Sequence, residues 1–92
     1  FEDRDGRLWF ASDDRGVSIL DASRSRWLQL SVRDGLLDNK VYQVRETSDG
    51  WLWLATAGGI HRVSSDLRDL IPYPLEALRL FVGPLRMAIH NK

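Results

Sequence analysis

Cysteine does not occur in this sequence, so disulfides and thiolate metal sites are excluded and the redox compartment stays open. Net charge is missing as well. Thirteen basic and thirteen acidic side chains cancel, with a pI near 6.9, which leaves no field to recruit nucleic acid or an anionic membrane surface. All the cations except Lys40 and Lys92 are arginine, suited to planar contacts with carboxylates or sugars, but they are scattered along the chain. No apolar run approaches the ~20 residues of a membrane span, and no secretory leader opens at Phe1. A piece of a longer protein would lack both for that reason alone. Histidine is scarce too: His61 and His90 share no ligand spacing with each other or with carboxylates, so both are read as surface or internally satisfied side chains. No metal and no other cofactor is expected. With 43% apolar and 28% charged residues the composition is that of an ordinary globular domain, which argues against disorder.

What is present is a phrase written twice. Asp5-Gly6-Arg7-Leu8-Trp9-Phe10-Ala11-Ser12 returns 44 positions later as Asp49-Gly50-Trp51-Leu52-Trp53-Leu54-Ala55-Thr56. Gly16-Val17 returns as Gly59-Ile60 at an offset of 43, so the second copy is one residue shorter between them. A period near 44 falls within the roughly 40 to 45 residues of a four-stranded propeller blade. The fold class expected is therefore all-β, built of antiparallel four-stranded β-propeller blades. Because a propeller typically holds about 4 to 8 blades, the chain is expected to be a fragment with about one and a half to two of them.

Each Asp-Gly dipeptide is a tight-turn signal, since Gly accepts positive φ and Asp bonds back to its own backbone. The strands that follow, Leu8-Trp9-Phe10-Ala11 and Trp51-Leu52-Trp53-Leu54-Ala55, are apolar on both faces, as a strand buried between two neighbouring blades must be. Trp9 and Trp53 are accordingly assigned to the blade core rather than to a sugar-stacking platform. A third strand is read at Gly16-Val17-Ser18-Ile19-Leu20-Asp21 and its copy, a fourth at Trp27-Leu28-Gln29-Leu30-Ser31-Val32, and the innermost strand of the next blade at Val41-Tyr42-Gln43-Val44-Arg45-Glu46. Residues 1–32 thus form a partial blade whose first strand is truncated, 33–40 a blade-crossing loop, and 41–65 strands one to three of a second blade. Beyond Ser65 the repeat fails. Pro72 and Pro74 break the strand pattern there, and residues 66–92 read as a divergent tail that offers one strand at most before a short helix over 75–82, opened by Pro74 and stopped by Gly83-Pro84.

The phrases Asp5-Gly6-Arg7-Leu8-Trp9-Phe10-Ala11-Ser12, Gly16-Val17 and Asp34-Gly35-Leu36-Leu37-Asp38-Asn39-Lys40-Val41 resemble the two-component regulator propeller repeat. That repeat joins an Asp-Gly-x-Leu-Trp-[apolar]-Gly-Thr strand to a Gly-[apolar] strand and an Asp-Gly-Leu-x-x-Asn-x-Val linker. Here Ala11 and Ala55 replace the small Gly, and Ser12 replaces the first Thr. The resemblance implies a periplasmic, ligand-sensing region of a bacterial histidine kinase, hybrid two-component regulator or diguanylate cyclase. It also implies further blades and a kinase or cyclase output domain in the full-length protein, and a ligand that is an oligosaccharide or another small extracellular molecule.

Connections in an antiparallel blade alternate between its two ends, so residues 12–15 and 33–40 share one rim and both Asp-Gly turns lie on the other. The first rim collects Asp13, Asp14, Arg15, Arg33, Asp34, Asp38, Asn39 and Lys40, which are the candidate ligand-binding residues. No catalytic residue is assigned. Asp3-Arg4-Asp5-Gly6 fails as a calcium loop, because aligning Gly6 with the invariant glycine puts Phe1 at the first ligand position and no bidentate Glu follows. Gly16-Val17-Ser18-Ile19-Leu20 lacks the second Gly of a nucleophile elbow. Two alternatives stand beside the sensor: a propeller enzyme of lyase or hydrolase type, with His61 as the best general base, and a scaffold for protein partners. Two blades alone leave apolar faces uncovered, so the isolated chain is expected to be marginal, or rescued by association with copies of itself.

Overall fold

The computed structural model describes residues 1–76. Two antiparallel meanders account for nearly all of them. The first sheet orders β1 (Leu8–Ala11), β2 (Val17–Leu20) and β3 (Trp27–Leu30); the second orders β4 (Val41–Glu46), β5 (Leu52–Thr56), β6 (Gly59–Val63) and β7 (Leu70–Pro74). Glu2 bridges to Leu8 as Glu46 pairs with Leu52, so residues 1–3 hold the place in the first sheet that the end of β4 holds in the second. No helix among the described residues is long and apolar enough to cross a membrane. The helix expected over 75–82 lies, from residue 77 on, outside the described residues.

The repeated glycines have a steric cause. Gly16 has φ 81°, and a Cβ there would fall 2.0 Å from the Leu30 carbonyl oxygen; Gly59 has φ 148°, and its Cβ would fall 2.3 Å from the Tyr73 carbonyl oxygen. Leu30 and Tyr73 occupy equivalent places on the outer strands, so both sheets need glycine at the same close approach. Ser12 and Thr56 close the preceding turn alike, each donating its hydroxyl to the glycine carbonyl, at 3.0 and 3.1 Å.

Pro72 and Pro74 do not interrupt the last strand, contrary to the sequence expectation. β7 pairs with β6 along its whole length, and the Leu75 N–H bonds the Gly58 carbonyl, so the odd-numbered residues turn their N–H groups toward β6. Both proline nitrogens therefore face the open edge, where no donor is needed. The turn before β7 also copies its counterpart. Arg24 and Leu67, at φ 64° and 62°, donate backbone N–H to the carbonyls of Asp21 and Ser64. Structurally the repeat runs on through Pro74, past the point where its sequence signature ends.

Cross-strand partners project to one side of a sheet. Trp9, Val17 and Ile19 therefore leave the first sheet together and pack on Val41, Leu52, Leu54 and Val63 of the second, with Leu36 of the connecting loop between them. Across the seam, the Arg4 N–H bonds the Glu46 carboxylate at 2.9 Å and the Arg7 guanidinium bonds the Ser65 carbonyl. The two tryptophans have unlike surroundings: Trp9 is 2% exposed, whereas Trp53 is only half-buried, on the uncovered side of the second sheet. Trp9→Ala should therefore cost ~3 to 5 kcal/mol. Trp53→Ala should cost clearly less in this chain, and the exposed Asp14→Ala should stay within ~0.5 kcal/mol. Urea denaturation of the three variants checks that order, and equal losses for both tryptophans would contradict the packing described here.

Candidate functional site

The connection from the first sheet to the second begins with a capping box. Ser31 accepts the Arg33 N–H on its hydroxyl at 3.3 Å, and the Asp34 carboxylate returns to the Ser31 N–H at 2.9 Å, closing the 3-10 turn Val32–Asp34. Gly35, at φ 113°, ends that turn and releases Leu36 into the core. The Asn39 side-chain oxygen accepts the Val32 N–H at 2.8 Å, and the Asn39 carbonyl accepts the Gly16 N–H at 2.7 Å. Asp38 accepts the Lys40 N–H at 2.8 Å, and the Val41 N–H reaches the Ser12 carbonyl at 2.9 Å. The loop is thereby tied to both sheets.

These bonds divide the eight candidate residues. Asp34, Asp38 and Asn39 are engaged in holding backbone N–H groups. Asp13, Asp14, Arg15, Arg33 and Lys40 are exposed. Asp14, Arg15, Arg33, Asp34 and Asn39 line one recess of about 410 Å³, together with Gln29 and Ser31, while Asp13, Asp38 and Lys40 stand outside it. Lys40 instead places its ammonium 5.7 Å from the centre of the Tyr42 ring. Gln29 and Ser31 were not among the candidates. The available signal was their place on the water-facing side of an outer strand; Gln29 donates to the Arg15 carbonyl at 2.8 Å and so fixes the loop that carries Arg15. The recess is an open, mixed-charge surface, suited to binding a polar molecule through arginine and carboxylate groups.

His61 does not face the recess. It is fully buried beneath the crossing loop, where Nε2 accepts the Leu37 N–H at 2.9 Å and Nδ1 makes no hydrogen bond. Burial holds its pKa below the ordinary 6.5, and the Leu54 backbone counters this weakly. The equivalent residue on β2 is Ser18, so nothing in the periodic pattern marks this position as a loop anchor. Among the described residues no three His, Asp or Glu side chains gather as metal ligands.

On the opposite rim, Asp3 is buried. It accepts the N–H groups of Asp5 and Arg7 at 3.0 and 2.9 Å, the Arg7 Nε at 2.7 Å and the Trp9 indole N–H at 2.9 Å. Burial opposes its ionisation, yet the Trp9 and Arg7 donors outweigh that and hold the carboxyl below its ordinary 3.8. Asp3, in the segment that fails as a calcium loop, is thus the centre of an internal knot with Arg7 and Trp9.

Two meander sheets packed face to face, with the same turns and the same close approaches in each, are blades, and the chain is of the β-propeller class. Residues 35–58, which are the crossing loop with β4 and β5, match the model of the two component regulator propeller family. No curated protein and no solved structure matches the chain.

The anchoring of the loop by a neutral imidazole sets a pH dependence. Protonated His61 has no lone pair for the Leu37 N–H, so the folded form resists a proton that the unfolded chain takes near pH 6.5. The unfolded state then binds more protons, and stability falls as pH drops below about 6.5 until the lowered folded pKa is passed. His61→Gln should remove the fall between pH 7 and 5, as read by chemical denaturation at each pH. An unchanged profile in that variant would show that another group is responsible.

Proposed function

We propose that these blades belong to the ligand-sensing propeller of a bacterial signal-transduction receptor of the two-component type, acting without catalysis. The supporting observation is the rim recess. Arg15 and Arg33 stand exposed on loops whose backbone is held by Ser31, Asp34, Asn39 and Gln29, so charged groups are offered to a ligand from a rigid support. Sensing in place of chemistry is further supported by His61, the one candidate base, which is enclosed and already accepting a hydrogen bond from the chain itself. The ligand class proposed is a small polar extracellular molecule, an oligosaccharide first of all. The receptor would place this region in the periplasm and pass the signal to a kinase or cyclase output domain.

Arg15→Ala and Arg33→Ala in the intact receptor should each lower affinity roughly 10-fold or more, as expected when a charge-assisted hydrogen bond of ~1.5 to 3 kcal/mol is removed. Thermal stability should change little. A glycan array followed by calorimetry reads the affinity, and full binding by the double variant would move the site away from this rim.

A further inference from the structure

Leu28 stands on the same side of the first sheet as Trp9 and Ile19, because the three are cross-strand partners in one row. Along that row burial gives out: Trp9 and Ile19 are each 2% exposed, whereas Leu28, on the outer strand, is 46% exposed. Across from Leu28 stands Leu67, in the turn before β7, and between them the seam opens at its perimeter into a recess of about 420 Å³ that reaches down to Ile19. The neighbouring row, which continues the same register, is Arg7, Asp21 and Arg26, and it lines the recess too. Its charges alternate outward. Arg7 is paired with Asp3, and the Asp21 carboxylate accepts the Ser23 hydroxyl and the N–H groups of Ser25 and Arg26. Arg26, the outermost, forms no ion pair among the described residues.

The two outer strands finish their edges differently. The Asp21 N–H bonds the Arg26 carbonyl, so Leu28 and Leu30 are the residues of β3 that bond β2, and Trp27 and Gln29 turn N–H and C=O outward. Among the described residues no strand pairs with those groups. On β7 the place of Gln29 is taken by Pro72, which has no N–H, and Pro74 follows it on the same edge. Proline at an outward position blunts an edge against added strands, and β3 carries none.

We propose that the outer edge of β3 is a docking site for an extended segment of a partner protein. The segment is added antiparallel to β3, with an apolar residue opposite Leu28 and an acidic residue two positions later, opposite Arg26. Residues paired across strands project to one side, so the residue opposite Leu28 enters the recess against Leu28, Ile19 and Leu67. The acidic residue continues the alternation of the charged row and supplies Arg26 with a carboxylate. Main-chain bonds to Trp27 and Gln29 hold the segment, and the two side chains select it. Further blades do not compete for this site. They stack on sheet faces, whereas this edge points out of the stack and both walls of the recess belong to the two sheets described.

The probe is a fluorescein-labelled peptide, Thr-Val-Thr-Leu-Thr-Glu-Thr, titrated with the intact protein and read by fluorescence anisotropy. Saturable binding is expected, and replacing the peptide's Glu by Gln should weaken it about 2- to 5-fold, the range of a cross-strand charge pair. Arg26→Glu should reverse the preference in favour of a peptide with Lys at that place; equal affinity of this variant for the Glu and Lys peptides overturns the acidic assignment. N-methylation of the threonine before the leucine removes the donor to the Gln29 carbonyl and should abolish binding with no change to the protein. Gln29→Pro gives β3 the blunted edge of β7 and should abolish binding with unchanged far-UV circular dichroism, whereas Gln29→Ala, which keeps the N–H, should bind as the unaltered protein does. Lack of saturable binding by the unmodified peptide at millimolar concentration overturns the proposal. Undiminished binding of the N-methyl peptide overturns it as well, and that result is independent of how Gln29→Pro folds.

Discussion

Asp3 carries a carboxylate with no exposed side-chain surface at the seam between the sheets, and four donors converge on it. Removing such a charge from water costs several kcal/mol, and only full hydrogen bonding offsets that cost. The arrangement has two consequences for the rest of the molecule. Trp9 is able to bury its ring because its indole N–H, which must be satisfied inside, ends on Asp3. Arg7, fixed on the same carboxylate, extends its guanidinium to the Ser65 carbonyl of the second sheet. One acidic side chain thus orients the largest residue of the interface and aims a link across it.

The second sheet copies this arrangement in weaker form. Thr47 replaces Asp3, Trp51 replaces Arg7, and the indole of Trp53 ends on a neutral hydroxyl that itself donates to Asp49. A charge at position 47 would lie on the uncovered side of the sheet, with Arg62 already between Trp51 and Trp53. The repeat therefore preserves geometry while its chemistry follows what lies on each face.

This difference separates what is legible in the sequence from what is not. β1, β2, β4, β5 and β6 follow from turn dipeptides and glycines that occur twice, each with a steric reason that survives without knowledge of the partner strand. β7 does not, because a proline breaks a strand or sits harmlessly on its edge according to the parity of the ladder, and parity is a property of pairing. Trp9 and Trp53 look alike in sequence, and only the stacking order of the sheets makes one core and the other surface. At the rim, strand parity correctly gathers residues 12–15 and 33–40 at one end. Asp34, Asp38 and Asn39 still read as ligand groups, since an oxygen that caps a backbone N–H and one that binds a ligand are the same chemical type.

The crossing loop also determines what a molecule bound at the rim could change. Its outer residues reach the recess, while next to them Leu36 enters the core and the Leu37 backbone N–H bonds the buried His61. A ligand shifts a conformational equilibrium only by the difference in its contacts with the two states. A loop with no inward attachment would order on binding without altering the blades. Here any displacement of Arg33 or Asp34 strains the turn that delivers Leu36 between the sheets, and any displacement of Leu37 exposes a buried imidazole to water. The same short loop therefore borders the rim recess and supplies part of the seam, which makes blade packing the property that occupancy of the rim is best placed to modulate.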